Sequence, residues 1–305
     1  MNPRDAFWER VNRRASGLTP PQARAFFAGV DALRERLSGA QLEALIAVGD
    51  VDGVIRLALS DENLNAAFAK YRARMQVTTR DAVGYFGRDL GIGFDLLNPV
   101  MVDAIRGLDT RMMQTLKADI REVARATIQR GLERGVGPRT TARELRAVVG
   151  LAPNQETAVD NFRRALQGDA SAGSPLDRAL RDRRFDRVVR RGNLTPEQID
   201  RMTDAYRRRM LAFNAETNAR TATLDAMKLG QDLAWREARD AGLIPDGALR
   251  KQWKGVLDVR EREEHVEMEG ETVPFDQPYS NGEMIPGEST FNCRCLSIVY
   301  VERAA

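Results

Sequence analysis

The sequence predicts a mainly α protein: an elongated helical body with long helices, followed by a small α+β C-terminal module with a short antiparallel sheet. Three observations carry that expectation. Apolar residues recur at spacings of three and four from Pro3 to about Gly242. Chemically recognisable helix starts and stops punctuate the same stretch. Beyond Gly242, turn signals arrive every few residues and short β-prone runs replace the helical period.

Taken in order, Thr19-Pro20-Pro21-Gln22 reads as a helix start, with an N-cap threonine, proline in the first turn and glutamine at the capping-box position. The helix it opens carries Ala25, Phe26, Val30, Leu33 and Leu37 on one stripe and stops near Ser38-Gly39. Pro99 to Arg134 repeats Val102, Ile105, Leu108, Met112, Leu116, Ile120, Val123, Ala124 and Ile128 at helical spacing, with Gly135-Val136-Gly137-Pro138 as its stop. A shorter helix, capped by Thr140 or Thr141, reaches Val149, and Gly168 to Pro175 is the strongest loop signal. Thr195-Pro196-Glu197-Gln198 repeats the capping chemistry and opens a helix expected from Pro196 to about Ala241. At 1.5 Å per residue that helix is on the order of 70 Å long, hence the elongated body. The β-prone runs are Gln252 to Leu257, Thr272 to Phe275 and Leu296 to Val301. The expected domains are an N-terminal helical region (1–90), a long-helix body with an arginine-rich insert at about 168–192 (91–242), and the C-terminal module (243–305).

At 305 residues and 43% hydrophobic content the chain can bury a sizeable core. No window approaches the roughly 18–20 apolar residues of a membrane span, and the start lacks the apolar region of a secretory signal, so no membrane partner is expected. The net charge of +3 conceals an acidic C-terminal segment: residues 246–305 sum to −5 and the remainder to +8. Arginine supplies 42 of the 47 cations, which suits bidentate phosphate or carboxylate contacts, although interleaved acids also fit solvated helix faces. The densest cluster is Arg178, Arg181, Arg183, Arg184, Arg187, Arg190 and Arg191, facing three aspartates. As a helix it has surplus charge to track a nucleic-acid backbone; the alternative is a salt-bridged helix face.

Both cysteines and the single histidine fall in the last fifty residues: His265, Cys293 and Cys295. Two cysteines one residue apart close too small a loop for a structural disulfide. Three readings stay open. Imidazole and thiolates are zinc ligands, with Asp258 or water as a fourth, and zinc is the only cofactor the residues suggest. Alternatively one cysteine packs as a small hydrophobe and His265 bonds a loop carbonyl, because side chains of Cys-x-Cys on a strand point to opposite faces unless the backbone bends. Finally, a cysteine nucleophile, His265 as base and Asp258 or Asn292 as orienter make a thiol-enzyme set, and Arg260, Arg262 and Arg294 around His265 make a nuclease-like set. Those arginines equally suit pairing with Glu261, Glu263, Glu264 and Glu267. Phosphate-loop, dinucleotide, metalloprotease and serine-hydrolase motifs are absent from the sequence.

Read together, Trp253, Asp258-Val259-Arg260-Glu261-Arg262-Glu263-Glu264-His265, Gly270, Phe275, Pro286-Gly287 and Asn292-Cys293-Arg294-Cys295 resemble the C-terminal signature of the phage Mu F-like family of tailed-phage head morphogenesis, or minor head, proteins. The likeness extends more weakly upstream, through Phe94-Asp95-Leu96-Leu97-Asn98-Pro99 and Glu216-Thr217-Asn218-Ala219-Arg220-Thr221, to cover roughly Gly91 to Glu302. It implies a virion structural protein, associated with the portal vertex and capsid interior and acting in head assembly and DNA packaging or release. The implied partners are the portal protein, the major capsid protein and packaged double-stranded DNA. The signature residues are then expected to hold the module together, Asp258 and Arg260 or Arg262 fixing the loop that presents His265. The rival is a metal- or thiol-dependent hydrolase, acting on nucleic acid or peptidoglycan and centred on His265, Cys293 and Cys295. The same module occurs in bacterial toxins ahead of a toxic domain, which the ten residues after Cys295 are not expected to supply.

Overall fold

Long runs of good helix formers with few β-branched residues become long helices in the computed structural model, which describes residues 2–91, 99–245 and 247–302. The order is α1 (Pro3–Arg36), α2 (Ala40–Ala47), α3 (Val51–Ala58), α4 (Asp61–Ala67), α5 (Ala69–Leu90), α6 (Pro99–Glu133), α7 (Pro138–Val148), α8 (Pro153–Leu166), α9 (Asp186–Arg191) and α10 (Pro196–Asp240). A small module follows: β1 (Leu249–Lys254), α11 (Glu263–Glu267), β2 (Thr272–Pro274) and β3 (Leu296–Val301). The protein is thus mainly α, with long helices and a three-stranded antiparallel sheet near its C-terminus, in the order β2-β1-β3. Among the described residues no helix is long and apolar enough to cross a membrane.

Capping chemistry explains several boundaries. Thr195 and Gln198 form a reciprocal box, the Thr195 amide donating to Gln198 Oε1 at 2.9 Å and the Gln198 amide to Thr195 Oγ1 at 3.3 Å. Asp50 and Ser60 cap α3 and α4 through the amides of Gly53 and Asn63. The start expected at Thr19 is different: α1 continues through Pro20 and Pro21. Thr19 Oγ1 donates to the Ala15 carbonyl and Gln22 Nε2 to the Tyr71 carbonyl, so neither side chain is available as a cap. Buried Val11 and Ala15 before the prolines and Phe26 after them extend one apolar stripe through the interruption. Helix α7 begins at Pro138, with Gly137 in the N-cap position, rather than at Thr140 or Thr141. Strand β1 lies three residues earlier than expected because Leu257 has a left-handed φ of 58°, incompatible with the end of a strand. Phe94 to Asn98 of the upstream resemblance, and Asp246 of the expected turn, lie outside the described residues.

The chain forms two compact units: Met1–Phe26, Lys70–Met112 and Thr217–Ala305 make one, Phe27–Ala69 and Met113–Glu216 the other. In the first, α5 and α10 approach so closely at Gly230 that an added Cβ would lie 2.5 Å from Ala82 Cβ and 2.8 Å from the Val83 amide nitrogen. That contact explains a glycine in the interior of the longest helix, where it would otherwise cost about 1 kcal/mol against alanine. Val11, Ala15, Ala82, Phe86, Leu224, Met227 and Leu296 form one core of this unit, and Ala238, Ile244, Leu249 and Phe275 another. The first of these ties β3 directly to α10. In the second unit Phe162 stacks on Tyr206 at 4.3 Å, and Asn214 Nδ2 donates to the carbonyl of Gly150 at 2.6 Å.

Candidate functional site

Strand β1 alternates buried and half-buried residues, which places Leu249, Lys251 and Trp253 inward. Trp253 is fully buried and forms the wall of a small core with Met268, Tyr279, Cys293 and Cys295. After Lys254 the chain turns, and the Glu261 carboxylate accepts the amides of Val256 and Leu257. Helix α11 then carries His265 edge-on against the Trp253 ring, with centroids 5.3 Å apart and planes at 76°. His265 therefore sits on a short helix, not on the expected loop. That helix was hidden because eight of the twelve residues from Asp258 to Glu269 are charged and the stretch shows no apolar period.

The cysteine segment is fixed from below by α10. Lys228, buried on that helix, donates to the carbonyls of Pro286 at 2.8 Å and Cys293 at 3.1 Å. Thr221 Oγ1 accepts the Asn292 amide at 2.9 Å, and Trp8 Nε1 of α1 donates to the Arg294 carbonyl at 2.9 Å. The buried Glu283 carboxylate holds the adjoining turn by accepting the amides of Gly287 and Ser289. At Gly287, φ is +77° and a Cβ would lie 2.3 Å from Cys293 Cβ, so only glycine fits. Asn292 adopts φ 58°, and this bend precedes β3. Both cysteines consequently face one way, the bend being the exception to opposite faces that the sequence left open: Cys293 Sγ lies 3.6 Å and Cys295 Sγ 3.5 Å from His265 Nδ1. All three donor atoms lie within 4.8 Å of one another, and all three residues are buried. Cys295 Sγ also donates to Glu261 Oε1 at 3.1 Å. The expected bond from His265 to a loop carbonyl is replaced by these sulfur contacts.

The electrostatics follow from burial and neighbours. Of the two thiols Cys293 is the one pulled toward thiolate, chiefly by its hydrogen-bond contact with Cys295 and by the nearby Lys228 ammonium; the same contact, together with burial, pushes Cys295 up. Burial raises the Asp225 carboxyl to about 6, against the opposing pull of Lys228. Asp258 is held well below the carboxylate range by Arg294, which grips it through two bonds of 2.6 and 2.7 Å.

The other signature residues divide by role. Arg294, not Arg260 or Arg262, is the main partner of Asp258; Arg260 reaches it only at 3.6 Å with its side chain largely in solvent. Arg262 stands at the N-cap position of α11, and its side chain donates to the Phe291 carbonyl at 3.1 Å. The alternative of pairing with Glu261, Glu263, Glu264 and Glu267 is thus not what these arginines adopt. Gly270 turns the chain into β2 with φ 85°. Phe275 packs in the separate core around Leu249, beneath the Arg236 guanidinium at 5.3 Å. Neither proposed orienter reaches His265: Asp258 is taken by Arg294, and Asn292 is exposed. Both sulfurs belong to residues at most 4% exposed. Lys228, Glu261 and Glu283 were missed from sequence. Only Lys228 carried a signal, as a cation beside the apolar Leu224 and Met227 of the same helix.

The arginine cluster does not form the single helix expected. Asp177 to Arg191 is broken into the end of one 3-10 turn, Pro175–Asp177, a second, Arg183–Phe185, and α9. Arg181 pairs with Asp186 at 3.0 Å, Arg184 with Asp182 at 2.6 Å, and Arg178 donates to the Ala172 carbonyl at 2.6 Å. The Arg184 side chain draws Asp182 down to about 2. Arg183, Arg187, Arg190 and Arg191 remain exposed, with no ion pair among the described residues.

Comparison of the chain with protein-family models, curated proteins and solved structures finds no match.

Proposed function

We propose that this protein is a minor capsid protein of a tailed phage, placed at the portal vertex and capsid interior and acting in head assembly and DNA packaging or release. The observation that carries the reading is convergence. Trp253, Asp258, Arg262, His265, Pro286, Asn292, Cys293 and Cys295, recognised as one signature in sequence, join one fastening that ties the C-terminal module to α10. Residues that define a module behave so; a chance string of motif letters has no reason to. In this role the chain is a binding and structural protein rather than an enzyme. Its long helices offer surfaces to portal or major capsid subunits, and Arg183, Arg187, Arg190 and Arg191 offer charge to packaged double-stranded DNA.

Cryo-electron microscopy and mass spectrometry of intact particles test this. The expected result is density for the chain at the portal vertex or inner capsid face, and portal and terminase genes beside its own. Particles that assemble, fill and infect without the chain would overturn the reading.

A hydrolase centred on His265, Cys293 and Cys295 has one observation in its favour, the 3.6 Å thiol–imidazole contact. Against it stand the burial of both sulfurs and the missing orienter. Hydrolysis of DNA or peptidoglycan by the wild-type chain, lost in Cys293→Ser with the fold intact, is the result that would favour it.

A further inference from the structure

We propose that His265 Nδ1, Cys293 Sγ and Cys295 Sγ are ligands of a structural zinc ion, with Glu261, which lies against Cys295 but outside the cluster of three, swinging in as the fourth. Donor chemistry comes first. Two thiolates and an imidazole are the soft and borderline donors that select zinc, and carboxylate oxygen completes many such sites. Geometry follows. A tetrahedral zinc, with Zn–S about 2.3 Å and Zn–N about 2.0–2.1 Å, sets sulfur and nitrogen about 3.5 Å apart along the tetrahedron's edge. The two edges in this protein measure 3.5 and 3.6 Å. Ordinary packing gives no reason for both sulfurs to converge on the same ring nitrogen at that spacing, because sulfur is a weak hydrogen-bond partner for a buried imidazole.

The surroundings suit an ion. Glu261 Oε1 stands 3.1 Å from Cys295 Sγ, while Oε2 is anchored on the Val256 and Leu257 amides. Such anchoring orients a metal-ligating carboxylate, as supporting bonds do around metal sites generally. Trp253 fixes the imidazole plane, and the Glu264 carboxylate lies 3.9 Å from Nε2, on the side away from the sulfurs. Two thiolates and one carboxylate around Zn²⁺ leave one negative charge, and the buried Lys228 ammonium beside the Cys293 carbonyl offsets it. Binding releases the thiol protons to solvent and changes no oxidation state. The module also needs a staple: its strands have six, three and six residues, and its core around Trp253 is small.

The inference is independent of the capsid reading, since a zinc staple serves any role of the module. The test uses the untagged full-length chain, dialysed and analysed for metal. About one zinc per chain is expected, and chelation should lower Tm by several degrees and make two unreactive thiols reactive toward a disulfide reagent, both reversed by added zinc. Cys293→Ser, Cys295→Ser and His265→Ala should each retain less than about a fifth of an equivalent, and Glu261→Ala should bind more weakly. Because a variant can fail to fold, the wild-type chain loaded with cobalt gives a second measurement: a thiolate-to-cobalt charge-transfer band with tetrahedral ligand-field absorption. A chain that holds less than about a fifth of an equivalent, does not gain Tm with zinc and shows no thiolate–cobalt band would overturn the site.

Discussion

Two of the arginines in 178–191 find ionic partners almost next door, Arg181 with Asp186 five residues away and Arg184 with Asp182 two residues away. In the C-terminal module the corresponding separations are 28 for Cys293 with His265, 36 for Arg294 with Asp258, 65 for Cys293 with Lys228 and 71 for Asn292 with Thr221. The first region folds its charge into a local knot and presents what is left to solvent. The second directs its polar groups to distant backbone, which fixes where each loop lies. A dense run of one residue type therefore indicates chemistry available to a partner, while thinly scattered special residues indicate a fastening.

The sharpest challenge to that contrast is Trp253→Ala. Truncating a fully buried indole between His265 and Tyr279 should cost about 3–5 kcal/mol in chemical denaturation. A loss under about 1 kcal/mol would mean that the module is not a packed unit. Next comes Lys228→Met, which strands the Pro286 and Cys293 carbonyls and should cost about 2 kcal/mol, together with faster hydrogen exchange in residues 286–295. Asp258→Asn has a smaller effect with a definite pH dependence. Its carboxyl is lowered in the folded state, so its contribution is complete above the unfolded value of about 3.9 and disappears as pH falls below it. The variant should be less stable than wild type at neutral pH, with the difference closing as pH is lowered below about 4. Smallest in stability is the combined alanine variant of Arg183, Arg187, Arg190 and Arg191, each expected within about 0.5 kcal/mol. The same variant should reduce the salt dependence of duplex binding, by about 0.9 in log–log slope for each phosphate left without its arginine. Unchanged duplex binding would remove these arginines from any DNA role.

Local chemistry made most of the fold legible. The α10 boundaries follow from a capping box and a run of helix formers broken only by Gly230 and free of proline after Pro196, α6 from its apolar period and the glycines after it, and β3 from Leu296 to Val301 alone. Thr19-Pro20-Pro21 misled because the same letters that start a helix also continue one when packing on both sides holds it. In the site, residue type made His265, Cys293 and Cys295 visible, but their convergence rests on the left-handed Asn292 and on α11, neither of which has a periodic signature. Lys228 acts on backbone carbonyls of a segment far along the chain and Glu283 on amides further along its own loop, roles that no periodic spacing encodes.

The bond from Trp8 to the Arg294 carbonyl joins residues 286 positions apart, and Lys254 pairs with Asp5 at 3.1 Å. Helix α1 thus has a partner 286 residues further along the chain, and this part of the structure closes only after the whole stretch between them has been made. Until then the apolar stripe around Val11 and Ala15 lacks Leu296 and stays partly uncovered. Deleting Leu296 to Val301 leaves that stripe open, so the loss of β3 should be felt first in the distant α1, as protease sensitivity near Trp8.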